Sequence, residues 1–329
     1  MLGRNQMKYI KFSMPIIILC FIVTACAEKV YPPIASDQSI IITINIKDMT
    51  ISFVDGERHE VIEQWEIENP YSGGMILPDK DTLLLYGKHI ETVDLYSLSK
   101  GKYMKSWNTG KGIANGRVLQ NQKEIVFVDQ VRNLARFFTI DGEETKAIST
   151  NQNPFTILEG KDKLYVINLN DEELTIIDKE KKVNLDSINI HSNAAGALLR
   201  ESNNELWIGG HGTGTQAEPD IHIYNLEDGS LNNTIQAPLM PVNFIEKDGT
   251  IYVISHGSNT LYKIPENVAG LKSVQVGANP FEISFFQDEL IVAGYDSNDI
   301  YFVDPNSLQI KHQVNVGKGP FQLIVRESK

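Results

Sequence analysis

Seven short runs of apolar, β-favouring residues recur along the chain, each opening just after a turn signal: Ile40-Ile41-Ile42, Leu83-Leu84-Leu85-Tyr86, Ile125-Val126-Phe127-Val128, Leu164-Tyr165-Val166-Ile167, Leu206-Trp207-Ile208, Ile251-Tyr252-Val253-Ile254 and Leu290-Ile291-Val292. Their starts lie 43, 42, 39, 42, 45 and 39 residues apart. No stretch between them carries a helix-period pattern of useful length, so a period near forty residues built from short strands predicts a β-propeller. Behind these runs, alternating segments stop at acidic or glycine turns, as in Ile51 to Gly56, Phe138 to Gly142, Leu174 to Asp178 and Ile300 to Pro305. Such turn residues accept the backbone angles of a tight hairpin. A further strand, for example Val61 to Ile67, closes each unit.

Asn-Pro or Gly-Pro then hands the chain to the next unit, in Pro154-Phe155, Pro280-Phe281 and Pro320-Phe321. Proline can start a strand without costing a ladder donor. The phenylalanine that follows repeats with the fold and is assigned to the core between blades. The N-terminal unit, Ser39 to Ile67, holds only the second to fourth strands, while Pro320 to Val325 is an orphan first strand. Pairing the two completes a seventh blade and removes exposed edges. The expected architecture is therefore all-β: a seven-bladed propeller over 38–329 with four-stranded blades, closed by the C-terminal strand on the N-terminal blade.

The segments Leu164-Tyr165-Val166-Ile167-Asn168 through Ile177-Asp178, Ile251-Tyr252-Val253 through Ser258-Asn259-Thr260, and Ser297-Asn298 through Val303-Asp304, with the links Val276-Gly277-Ala278-Asn279-Pro280 and Val316-Gly317-Lys318-Gly319-Pro320, resemble the YVTN-type, YncE-like β-propeller repeat. The resemblance covers nearly everything after Ser39 and is strongest in the later blades. It implies a bacterial surface or extracytoplasmic propeller and assigns no ligand.

Before the repeats, Lys8 and Lys11 precede the apolar run Pro15 to Val23, and the sequence Val23-Thr24-Ala25-Cys26 follows. Basic flank, short apolar run and small residues make a secretory leader, too short to span a bilayer comfortably. Its end resembles the lipobox of bacterial lipoproteins, which implies acylation of Cys26 as the new N-terminus. Either Met1 or Met7 can serve as the start. Residues 27–37, with Tyr31-Pro32-Pro33, are expected to form a flexible tether. Two or more acyl chains supply stable attachment, so the expected address is the extracytoplasmic face of a bacterial cell membrane.

With 42% hydrophobic residues among 329, the chain can bury an ample core. The formal charge is −12, of which the leader contributes +3, leaving −15 on the remainder. No Lys/Arg cluster interrupts that field, which argues against nucleic acid as a partner. Both cysteines, Cys20 and Cys26, belong to the leader, so the body offers no thiolate chemistry.

Aligning the repeats at the end of the second strand stacks Asn45, Lys88, Gln130, Leu169, His211, His256 and Tyr295 in one column. That end opens on one rim of the central channel. His211, His256 and Tyr295, from three adjacent blades, form the candidate binding arc, with Lys88 and Gln130 further round, and His211 and His256 as candidate metal ligands. The longest loop, Gly209 to Asp220, adjoins the arc, and its glycines could bring backbone N–H groups to a ligand. Seven histidines over seven blades can also coincide by accident. The fragment His59-Glu60-Val61-Ile62-Glu63 lacks a zincin's second histidine, and no nucleophile elbow or haem motif is present.

The leading functional expectation is a lipid-anchored binding or scaffold module for a small molecule or an envelope protein, monomeric and without a predicted cofactor. A lactonase-like hydrolase and an accessory subunit of an electron-transfer or amine-oxidising assembly are the alternatives, both resting on shared architecture.

Overall fold

The computed structural model describes residues 29–328 except 170, 214 and 267–269; the leader and Cys26 lie outside the described residues. Seven antiparallel sheets form the blades; six are meanders running from the centre outward, and the first takes its inner strand from the C-terminal end of the chain. The seventh unit shows the pattern with strands Pro280–Phe286, Glu289–Gly294, Asp299–Val303 and Ile310–Asn315. In the fourth blade the outer strand is broken into Val183–Asn184 and Ile188–Asn189, both paired with Glu173–Asp178. The inner strands touch in cyclic order: Gly73–Ile76, Ile113–Val118, Pro154–Glu159, Ala194–Arg200, Pro241–Lys247, Pro280–Phe286, Pro320–Arg326 and back to the first. The ring is closed.

The reason the second strands read as unbroken apolar runs is that both of their faces are buried. Ile40, Ile42 and Ile44 pack into the seam with the second blade, while Ile41 packs into the seam with the last. Likewise Leu164 and Val166 face the third blade, and Tyr165 and Ile167 face the fifth. Among the described residues the core is seven such clusters, one per seam. Outer strands are mostly exposed and contribute single anchors such as Trp65 and Trp107.

Closure uses Pro320–Arg326, which pairs antiparallel with Ile40–Asn45. The junction is pinned by a buried polar knot. Asn45 Nδ2 donates to Thr50 Oγ1 at 3.0 Å and to Ser52 Oγ at 2.9 Å, and Ser52 Oγ accepts from Gly317 N–H at 3.0 Å. A Cβ on Gly317 would lie 2.1 Å from Thr50 Oγ1, so only glycine fits. Asn45, expected on an open rim, is therefore a structural residue.

The described part of the expected tether, residues 29–37, is not loose. Tyr31 and Ile34 are buried, Tyr31 stacks on Trp65 with centroids 4.7 Å apart, and Trp65 Nε1 donates to the Pro32 carbonyl at 3.1 Å. Tyr31 N–H donates to Gly101 O at 2.7 Å and Ile34 N–H to Leu98 O at 2.8 Å. The two prolines hold this strap extended so that its apolar side chains reach the seam between the first and second blades. We expect Tyr31→Ala to cost about 2–4 kcal/mol in urea denaturation, as for other large buried rings. A change under about 0.5 kcal/mol would instead indicate an undocked segment.

Candidate functional site

Six of the seven inner strands begin with a β-bulge. Ile113, Pro154, Ala194, Pro241, Pro280 and Pro320 each pair with the second strand, the next residue is skipped, and pairing resumes one further on. The skipped residues are Ala114, Phe155, Ala195, Val242, Phe281 and Phe321. All six line the central channel, a cavity of about 350 Å³. A bulge rotates one side chain out of the pleat, and the proline that opens four of these strands has no N–H to leave unpaired. Phe155, Phe281 and Phe321 are thus channel residues, not the inter-blade core expected for them. Phe281 and Phe321 stack at 4.5 Å, forming one aromatic wall.

One step deeper, the residues after the bulges form a polar belt that stitches several neighbouring blades together. Asn115 Nδ2 donates to Phe155 O at 3.0 Å, Thr156 Oγ1 to Ala195 O at 2.5 Å and Asn243 Nδ2 to Phe281 O at 3.4 Å. Gln322 Oε1 accepts from Gly74 N–H at 2.7 Å. At Gly196 the neighbouring backbone itself fills the place, since a Cβ there would lie 2.0 Å from Val242 O. Glu282 is the acid of this belt. Burial pushes its carboxyl up to about 8, against the lowering effect of the Asn243 amide, whose Nδ2 donates to Oε1 at 3.1 Å. Below the belt, Arg117 Nη1 donates to Ile157 O at 3.1 Å, and its Nε lies 3.7 Å from the buried carboxylate of Glu159.

The structure brings His211 and His256 together, with ring centroids 4.9 Å apart. His211 lines the channel. His256 Nε2 lies 3.1 Å from Met240 Sδ, and its Nδ1 is buried without a partner. Burial, reinforced by His211, pushes His256 down to about 4, so this imidazole is neutral near pH 7; burial lowers His211 as well. Tyr295 is separated from the pair by Phe281, standing 6.5 Å from that ring and 6.3 Å from Phe321, with Lys47 Nζ 4.1 Å over its face.

Lys88 and Gln130 flank a different link: Gly112 N–H donates to Lys88 O and Gln130 N–H donates to Gly112 O. Lys88 is exposed, and among the described residues neither it nor Gln130 shares a backbone hydrogen bond with the histidine pair. The long loop folds into a small hairpin, Gly212–Thr213 against Gln216–Ala217. Gly212 takes φ +85 there, and a Cβ on it would lie 2.2 Å from Gln216 O. The described glycines of this loop serve hairpin and strand geometry, not an open backbone cradle as expected. What the sequence reading missed is the bulge ring, whose one visible sign is an aromatic directly behind a strand-opening proline.

No protein-family model matches the chain, and no curated protein matches it in sequence. Among solved structures it is similar to a functionally unknown protein from Desulfotomaculum acetoxidans, at 11% identity, TM-score 0.71, covering 88% of this chain and 99% of that one. It is also similar to Kuenenia stuttgartiensis hydrazine synthase (12%, TM-score 0.65, 90% and 99%) and to apo AztD from Citrobacter koseri (12%, TM-score 0.59, 88% and 98%). At these identities the likeness establishes the propeller fold.

Proposed function

We propose that this chain is a ligand-binding propeller of the cell envelope, and that the channel mouth receives a small, flat, largely uncharged molecule with a hydrogen-bonding edge. The observation that carries this is the bulge ring: six residues released from the ladder all line one cavity, three of them aromatic. Aromatic faces above supply stacking surface, and the amide groups below supply a hydrogen-bonding edge, the two contacts a flat heterocyclic ligand uses. His211 adds a neutral hydrogen-bonding group at the same wall. The propellers it resembles include both a hydrazine synthase and apo AztD, so shape alone selects no chemistry, and the reading rests on the lining.

Attachment through an acylated Cys26 belongs to the same proposal. Lys29 lies three residue steps beyond Cys26, a reach of about 10 Å. The docked strap would then hold the ring close against the membrane surface.

A thermal-shift screen of flat heteroaromatic compounds on the full chain identifies a ligand, and the combined change Phe281→Ala and Phe321→Ala tests where it sits. Two lost stacking faces should weaken binding about tenfold or more. Unchanged affinity in the double variant would remove the channel mouth as the site, and turnover of the ligand would replace binding by hydrolysis.

A further inference from the structure

The seam between the fourth and fifth blades carries a second cluster, outside the channel lining. Because the fourth blade's outer strand is broken, its last piece, Ile188–Asn189, leads directly into a linker that lays His191 against the fifth blade. His222 lies on the third strand of that blade, Asp220–Asn225, whose residues alternate between two seams. Ile221 and Ile223 pack toward the sixth blade, and Tyr224 packs toward the fourth. His222 shares the face of Tyr224. Glu218 is delivered by the hairpin insertion of the long loop, anchored by its N–H to His211 O and by its carbonyl, which accepts from Met240 N–H.

These three side chains converge. Their ligand atoms all lie within 4.8 Å of one another. His222 Nε2 is 3.4 Å from Glu218 Oε1, and the His191 and His222 rings are 4.1 Å apart at 36°. Tyr224 fixes His191 from behind: its hydroxyl oxygen accepts from His191 N–H at 3.0 Å and lies 3.5 Å from Nδ1. That leaves His191 Nε2, which is buried and has no hydrogen-bond partner. A buried nitrogen lone pair without a partner is costly unless something binds it. Asp220, on the same strand face as His222, also has a buried carboxylate oxygen without a partner.

We propose that His191, His222 and Glu218 bind a divalent zinc-type cation, two imidazoles and one carboxylate leaving a fourth position for water or for a ligand group. Two imidazoles and a carboxylate suit a borderline metal that accepts tetrahedral geometry, rather than magnesium or calcium, which prefer all-oxygen sets. The Tyr224 hydroxyl, set behind His191, orients that ring in the way that outer partners commonly orient metal-bound histidines. The widest-spaced ligand atoms need to close by up to about 1.5 Å to reach tetrahedral spacing, and two of the three sit on a linker and an insertion, which can move without disturbing a ladder. This site goes beyond the channel reading and does not depend on it.

The test is equilibrium dialysis of the full chain, stripped with chelator, against Zn2+, followed by the visible spectrum of the Co2+ form. One zinc per chain is expected, with intense tetrahedral cobalt bands. His222→Gln and His191→Gln should each weaken zinc at least a hundredfold, and Glu218→Gln, which keeps shape and hydrogen bonding, about tenfold. The combined change His211→Ala and His256→Ala should leave zinc affinity unaltered. Absence of stoichiometric zinc in the unchanged protein overturns the site. So does zinc retained by folded His222→Gln and Glu218→Gln proteins, or zinc lost only when His211 and His256 are replaced.

Discussion

A chain shortened to end at Lys318 should show no cooperative thermal transition. The missing segment supplies the whole inner strand of the first blade, and with it the ladder partner of Ile40–Asn45 along its full length. It removes the buried side chains of Leu323 and Ile324, worth about 2–5 kcal/mol each when lost from a core. It also removes Arg326, whose Nη2 donates to the carbonyls of Ala35 and Gln38 at 2.5 and 3.1 Å, so the strap loosens in the same step. These losses together approach or exceed the total stability of an ordinary domain, about 5–15 kcal/mol. The inner ring is cyclic, and opening it exposes an unpaired strand edge to the channel. Differential scanning calorimetry of the shortened chain is the measurement. A melting temperature within a few degrees of the full chain would show that the ring is held by something other than its tail.

The second large effect concerns Glu282 and the pH dependence of stability. Burial raises its carboxyl from an ordinary 4.5 to about 8. Below about 4.5 both folded and unfolded chains keep the proton, and nothing is lost. Between about 4.5 and 8 the unfolded chain releases a proton that the folded chain retains, so stability falls as pH rises; above 8 the deficit is constant. At about 1.4 kcal/mol per pKa unit the full deficit is on the order of 2–5 kcal/mol. Glu282→Gln removes the titration and keeps the side chain's size. The variant should match the parent near pH 4.5 and exceed it by that margin at pH 8.5, in urea midpoints taken across the range. Parallel curves for the two proteins would place the Glu282 carboxyl in an ordinary, hydrated state.

The fold was legible because the second strands are apolar on both faces. A run such as Ile125-Val126-Phe127-Val128 feeds two seams at once and cannot be mistaken for a half-exposed strand, and the observed strand Glu124–Asp129 begins one residue before it. His211 and His256 could be placed side by side because each follows its second strand, Glu205–Gly210 or Thr250–Ser255, by a single residue. Lys88 comes two residues after its strand, which ends at Tyr86, and the same counting misplaces it. Alternation carries no mark of a skipped residue, so the phenylalanines behind the prolines read in sequence as inter-blade core. Tyr31-Pro32-Pro33 reads as a loose leash because its partners, Trp65 and Gly101, are distant in sequence. The histidine cluster at the fourth seam was hidden for a related reason: a broken outer strand and an insertion, each unremarkable alone, meet only in space.

The bulges at the channel mouth also bear on how such a protein can change its allegiance. Each of the six skipped residues forms no rung of its sheet, so replacing its side chain alters the doorway while leaving the ladder pairs beneath it in register. On the proposed reading of the channel, single codon changes at these positions exchange one cargo for another, with the architecture inherited intact. Descendants of one ancestral ring would keep their shape while their appetites diverge, and comparison across such lineages should find variation concentrated at the doorway.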